Sequence, residues 1–233
     1  MQLAAVEQEA EELLKKLTSV PSLRCFVDSR WPVPQVHRVS GEARLIILGQ
    51  DSTVKNESSR ATITMVLNLD KNGSLRDYLA QICRGLGLDL DQNVYATNYF
   101  KNFFIRPPTQ IGEINVFEEF SHWWFPFLQE ELALFPRVPL ITLGEPLLSA
   151  LVCEGVNPLV RHYWGYTPHW QSGERGELHY LKPSENHLGR AIFPFPHQPS
   201  LGKRFYRERL SDYVAFVKQK MDEWKHKSGG STH

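Results

Sequence analysis

The run Arg44-Leu45-Ile46-Ile47-Leu48-Gly49 constrains this chain more than any other segment. Its apolar stretch is too short for a stable helix and carries no polar residue at alternate positions, so it reads as a strand buried on both faces and closed by a glycine turn. Val94-Tyr95-Ala96-Thr97, Pro139-Leu140-Ile141-Thr142-Leu143-Gly144 and Ala191-Ile192-Phe193 repeat the pattern. A strand covered on both faces needs helices above and below it, and the intervening segments supply them.

Leu3, Val6, Ala10, Leu13, Leu14 and Leu17 recur at helical spacing over residues 2–17, opposite a face rich in Glu and Lys. Ser74 is placed to cap a helix running to about Leu86, with Leu75, Leu79 and Ile82 on one face. A helix is expected from Val116 to about Phe135, kinked or split at Pro126. A short one follows through Leu147, Leu148 and Leu151, and a last one runs from about Phe205 to Trp224. Alternating strands and helices predict a three-layer α/β/α sandwich with a mostly parallel central sheet. The 233 residues suit one domain over 1–225, with 226–233 as a flexible tail.

Composition limits the functional classes. Lys plus Arg equal Asp plus Glu at 26 each, so any polyanion must meet a local basic cluster and not a basic surface. Cys25, Cys83 and Cys153 are scattered and odd in number, which fits neither a disulfide framework nor a close-spaced metal site and points to a reducing compartment. His162, His169, His179 and His187 follow no ligand spacing, so no metal is expected. No apolar run approaches the roughly 18 residues of a membrane span. The acidic N-terminus is unlike a signal peptide. The expected location is intracellular, cytoplasmic if the source is bacterial, with no membrane association and a monomeric state.

In open parallel sheets ligands bind beyond the carboxyl ends of the strands. Four such ends carry polar residues or turns. Gly49-Gln50-Asp51 puts an amide and a carboxylate after the first strand. Asn98 follows the second, leading into Tyr99, Phe100, Lys101 and Asn102; its amide offers one acceptor and two donors, which suits the edge of a nucleobase. After the fourth strand, Pro194-Phe195-Pro196-His197-Gln198-Pro199-Ser200-Leu201-Gly202-Lys203-Arg204 forms a proline-stiffened loop opening into a basic helix start. Arg207 and Arg209 add to its positive field. Each segment alone is also what an ordinary turn, core aromatic cluster or surface helix would show.

Together, in this order along the chain, these segments resemble the uracil-DNA glycosylase superfamily. Gly49-Gln50-Asp51 is similar to the family's water-activating motif, and Asn98 falls where the family carries its base-reading asparagine. Thr97-Asn98 with Lys101 and Arg106-Pro107-Pro108 resembles the thermophile-type branch, and Ile141-Thr142-Leu143-Gly144 its third strand. His197 to Leu201 is similar to the His-Pro-Ser loop. Ser52-Thr53 stand where the family has Pro-Tyr, Gln198 is inserted after His197, and Thr64 and Met65 occupy the segment where an aromatic residue would stack on the base.

The resemblance implies an enzyme that flips uracil or a related damaged base out of DNA and hydrolyses its bond to the sugar, without a metal or redox cofactor. Asp51 would orient the water and favour the cationic sugar, and His197 would stabilise the departing base. Gly49, Gln50, Thr53, Met65 and Asn98 would form the base pocket. Ser200, Leu201, Lys203 and Arg204 would hold the DNA, with Leu201 filling the gap in the stack. Two rivals are a DNA-binding protein of the same fold that does not cut, and a hydrolase or transferase acting on a free nucleoside.

Overall fold

The computed structural model describes residues 1–229, without the side chains of Pro199 and residues 225–229. Four strands, β1 (Leu45–Gly49), β2 (Val94–Asn98), β3 (Leu140–Leu143) and β4 (Ile192–Phe195), form one all-parallel sheet in the order β2-β1-β3-β4. All of their residues are buried, as the unbroken apolar runs require of a sheet covered on both faces. β4 continues two residues past its expected end, through Pro194, which pairs with Thr142. An edge strand tolerates this because the missing N–H needs no partner on its open side.

The longer helices are α1 (Val6–Thr18), α2 (Ser74–Gly85), α3 (Val116–Leu132), α4 (Glu145–Leu151) and α5 (Arg204–Gly229). α1 packs on α3, and α2 on α5. Val6, Ala10, Leu14 and Leu17 form the buried stripe of α1 that its spacing predicted. Gly73 takes the N-cap position of α2, so Ser74 is its first helical residue and not its cap. α3 runs through Pro126 as one helix and ends at Leu132; the proline lies on the exposed side, where water can reach the carbonyl left without its helical donor. α5 continues past Trp224 to Gly229, so that part of the expected loose tail is helical; residues 230–233 lie outside the described residues. Among the described residues no helix is long and apolar enough to cross a membrane.

A buried polar cluster ties the sheet to α3. Lys101, in the turn after β2, pairs with Glu131 of α3 and donates to Thr97 Oγ1 at 2.5 Å, while Tyr95 donates to Glu131 Oε1 at 2.6 Å. Lys101 and Glu131 are 3% and 0% exposed, so neither charge has water in place of the other. Burial presses the Lys101 ammonium below its ordinary pKa, and the Glu131 carboxylate opposes that shift. The Trp123-Trp124-Phe125 run contributes its middle residue to the core, where Trp124 donates to Asn102 Oδ1 at 2.8 Å.

Candidate active site at the sheet's switch point

The strand order reverses direction between β1 and β3, and the connections from those two strands leave a crevice at their carboxyl ends. A cavity of about 500 Å³ occupies it, with walls from the turn after β1 (Gly49 to Lys55), the end of β3 (Leu143, Gly144) and His197 after β4. Gly144 adopts φ +96°, a conformation that favours glycine, and its N–H donates to Phe195 O at 2.9 Å. Trp164 Nε1 donates to Pro194 O at 2.7 Å and Tyr78 to Pro196 O at 3.3 Å. Three bonds therefore anchor the backbone that delivers His197.

The turn after β1 is held as firmly. Tyr99 N donates to Gly49 O and Phe100 N to Gln50 O, at 2.8 and 2.9 Å, and Phe104 N donates to Thr53 Oγ1 at 2.8 Å. Arg60, 2% exposed, bridges Val54 O at 3.1 Å and Asp28 Oδ2 at 3.0 Å from behind. Within this frame Asp51 accepts from the backbone of Thr53 at 2.6 Å and from Gln50 Nε2 at 3.0 Å. Desolvation nonetheless outweighs both bonds and the nearby Arg60 charge, and its pKa is pushed up to about 6. His197 is exposed on one side and crowded on the other; loss of water there holds its pKa below the ordinary imidazole value. At neutral pH the cavity thus presents a largely ionised, weakly hydrated carboxylate and a neutral imidazole.

Asp51, His197, Gly49, Gln50 and Thr53, predicted from separate motifs, all line this one cavity. Asn98 and Met65 do not. Asn98 is 1% exposed and lies behind Gly49, where its Nδ2 donates to Ser52 Oγ at 2.8 Å and its Oδ1 has no partner. Ser52, one residue after Asp51, is what captures the amide. Met65 is bridged through its backbone to Gln35 and packs half-buried against the core. The wall expected of it is built by Leu67 and Asn68, which turn the chain through left-handed φ values of 55° and 51°. A hydrophobic residue in that conformation leaves no mark in a sequence. Lys55, Pro107 and Thr109 also line the cavity; Pro107 lies in the Arg106-Pro107-Pro108 motif, and no motif points to Lys55 or Thr109.

The DNA-binding expectation divides. Ser200 and Leu201 lie in a 3₁₀ segment, Gln198–Gly202, that follows His197; Ser200 N donates to His197 O at 2.8 Å and Leu201 packs partly against the core. Lys203 and Arg207 are exposed. Arg204 is exposed but pairs with Glu208 at 2.5 Å. Arg209 does not belong to a basic face: it is 8% exposed and donates to Trp164 O and Gly176 O, both at 3.2 Å, so it braces the fold.

A larger groove of about 850 Å³ runs between α3 and α4, lined by Tyr99, Phe117 and Phe125, and meets the cavity at Pro146. Neither Asp51 nor His197 forms part of it. Among the described residues no group of three or more His, Cys, Asp or Glu side chains is arranged to hold a metal ion. The molecule is thus a parallel α/β protein with an acid–base cavity at its switch point. No protein-family model matches the chain, and no curated protein matches it.

Proposed function

We propose that this chain is a DNA glycosylase of the uracil-DNA glycosylase type, excising uracil or a related damaged base extruded from DNA. The observation that carries the reading is the convergence of Asp51 and His197, from the ends of β1 and β4, on a cavity large enough for one base. Cleavage of the bond to the sugar leaves positive charge on the deoxyribose and negative charge on the base. A carboxylate with a pKa near 6 is mostly ionised at pH 7 yet basic enough to take a proton from water, and its charge favours the developing cation. A neutral His197 donates an N–H to an oxygen of the departing base without bringing a second formal charge. A base inside a duplex cannot reach such a cavity, so it must be flipped out, and in this reading Leu201, four residues after His197, fills the gap.

A second reading, a protein of the same architecture that binds DNA without cutting, is favoured by one observation: Asn98 is held off the cavity by Ser52 and has no access to a base there. Incubation with single- and double-stranded oligonucleotides carrying uracil, followed by alkaline cleavage at abasic sites, separates the two. Strand breaks that vanish in Asp51→Asn support excision; tight, salt-sensitive binding without breaks supports the second reading. Hydrolysis of free nucleosides with no affinity for DNA would remove both.

A further inference from the structure

Away from the cavity, a row of two aromatic rings capped at each end by a guanidinium crosses the start of α5. Arg161 lies 5.1 Å from the ring centroid of Tyr166, Tyr166 lies 6.4 Å from Trp170, and Arg204 lies 6.0 Å from the Trp170 ring. Phe205, 6% exposed, forms the floor and meets both rings edge to face, at 5.1 and 5.4 Å. The row is not core: Tyr166 and Trp170 stay half-buried, and Arg161 and Arg204 are exposed.

Its charge is positive. Arg175 donates to Trp170 O and shares the single carboxylate of Glu208 with Arg204. Arg204, joined by Arg175 and Arg207, holds the Glu208 carboxyl below its ordinary pKa, as an excess of nearby cations must. Arg161 forms no ion pair among the described residues. A partner that fits is therefore a polyanion with flat apolar faces. Nucleobases supply such faces and stack on aromatic rings and on guanidinium planes alike. In a duplex those faces are covered by neighbouring pairs, so an unpaired strand is the matching form. We propose that the row Arg161, Tyr166, Trp170, Arg204 is a docking surface for single-stranded nucleic acid, with bases laid on the row and phosphates met by Arg161. Arg204 directly follows Lys203, so the surface continues the edge proposed above for DNA. The proposal rests on the DNA-binding part of that reading for its partner, and not on cleavage.

The test is fluorescence anisotropy with labelled oligothymidylate, which carries no uracil, and with a duplex of equal length. Trp170→Ala should weaken oligothymidylate binding about tenfold, the loss of one stacked base, while duplex binding stays within about twofold of wild type. Trp170→Phe should restore most of the affinity. Arg161→Gln should reduce the slope of log K against log salt by about 0.7 on the single strand. Unchanged oligothymidylate affinity in a folded Trp170→Ala, an equal loss on both probes, or displacement by polyglutamate of the same charge overturns the proposal. Should Trp170→Ala fail to fold, the exposed Arg161 decides, and an unchanged salt slope overturns it. Oligothymidylate binding that depends on Trp170, without breaks in uracil-containing DNA, removes the excision reading and supports this surface. Breaks without any single-strand binding do the reverse.

Discussion

Asn98 Nδ2 donates to Ser52 Oγ at 2.8 Å, joining the end of β2 to the turn that carries Asp51. Both residues are buried, at 1% and 7% exposure, so water cannot replace either partner. Ser52→Ala strands the amide donor, and a loss of about 1–3 kcal/mol is expected from that desolvated group. Urea unfolding reads it as a lower midpoint with unchanged slope. A midpoint equal to wild type would mean that the amide had found another partner.

The raised pKa of Asp51 makes a signed prediction about stability. The native state holds this proton up to about pH 6, whereas the unfolded chain releases it near 3.8, so the native state binds more protons between those values. Stability from this group is fully present below pH 3.8 and is lost as pH rises through 6. At pH 7.5 the buried charge therefore costs the fold up to ~3 kcal/mol. Asp51→Asn should raise the melting temperature at pH 7.5, lose that advantage near pH 4, and lose most excision activity. A variant less stable than wild type at pH 7.5 would refute the desolvation account.

In the proposed excision reaction the same two groups would set the pH dependence. Asp51 must be ionised and His197 neutral, and both conditions fail on the acid side, the first near pH 6 and the second below the ordinary imidazole value. Log kcat/KM for excision should be flat above neutrality and fall below about pH 6 with a slope exceeding one. Removing the imidazole by His197→Gln should lower the plateau and reduce the limb to a slope of one. An activity maximum on the acid side of pH 5 would contradict these roles.

Lys101 and Glu131 form a buried pair whose cost and benefit depend on keeping both members. Glu131→Gln leaves the ammonium without its counter-charge, and about 3–5 kcal/mol of stability should go with it. The double variant Lys101→Met with Glu131→Leu removes both charges and should recover most of that loss, as measured by chemical denaturation. If Glu131→Gln and the double variant were equally destabilised, the pair would contribute as packing and not as charge.

On the proposed DNA face, charge already engaged within the protein is worth less to a phosphate. Lys203→Ala should weaken binding across all sequences and reduce the slope of log K against log salt by about one, since one phosphate contact is lost. Arg204→Ala should have a smaller effect, because Glu208 already holds that guanidinium at 2.5 Å. Fluorescence anisotropy over a range of salt concentrations measures both. The reverse order would place the DNA against a different edge of the helix.

Local chemistry made the scaffold legible. The apolar runs at Leu45–Gly49, Val94–Asn98 and Leu140–Leu143 are strands because their composition suits nothing else at that length, and a strand end fixes where the next polar residue must stand. Asp51 and His197 could therefore be placed at one rim from order alone. Pro194 misled because its place in an edge strand depends on which neighbour the sheet lacks, a fact of topology. Arg209 carries the same charge as Lys203 in the sequence, and only packing against Trp164 and Gly176 makes it structural.

The sequence by itself determined the parallel sheet, its helical cover and the two ionisable groups delivered to the crevice, since each is encoded in residues adjacent along the chain. Tertiary structure decided what those groups are worth: how far burial lifts the Asp51 pKa, which way Asn98 faces, and that Leu67 and Asn68 form the cavity wall expected of Met65. Those outcomes depend on distances between atoms far apart in the chain, and desolvation and hydrogen bonding vary over a few ångströms that no local pattern specifies.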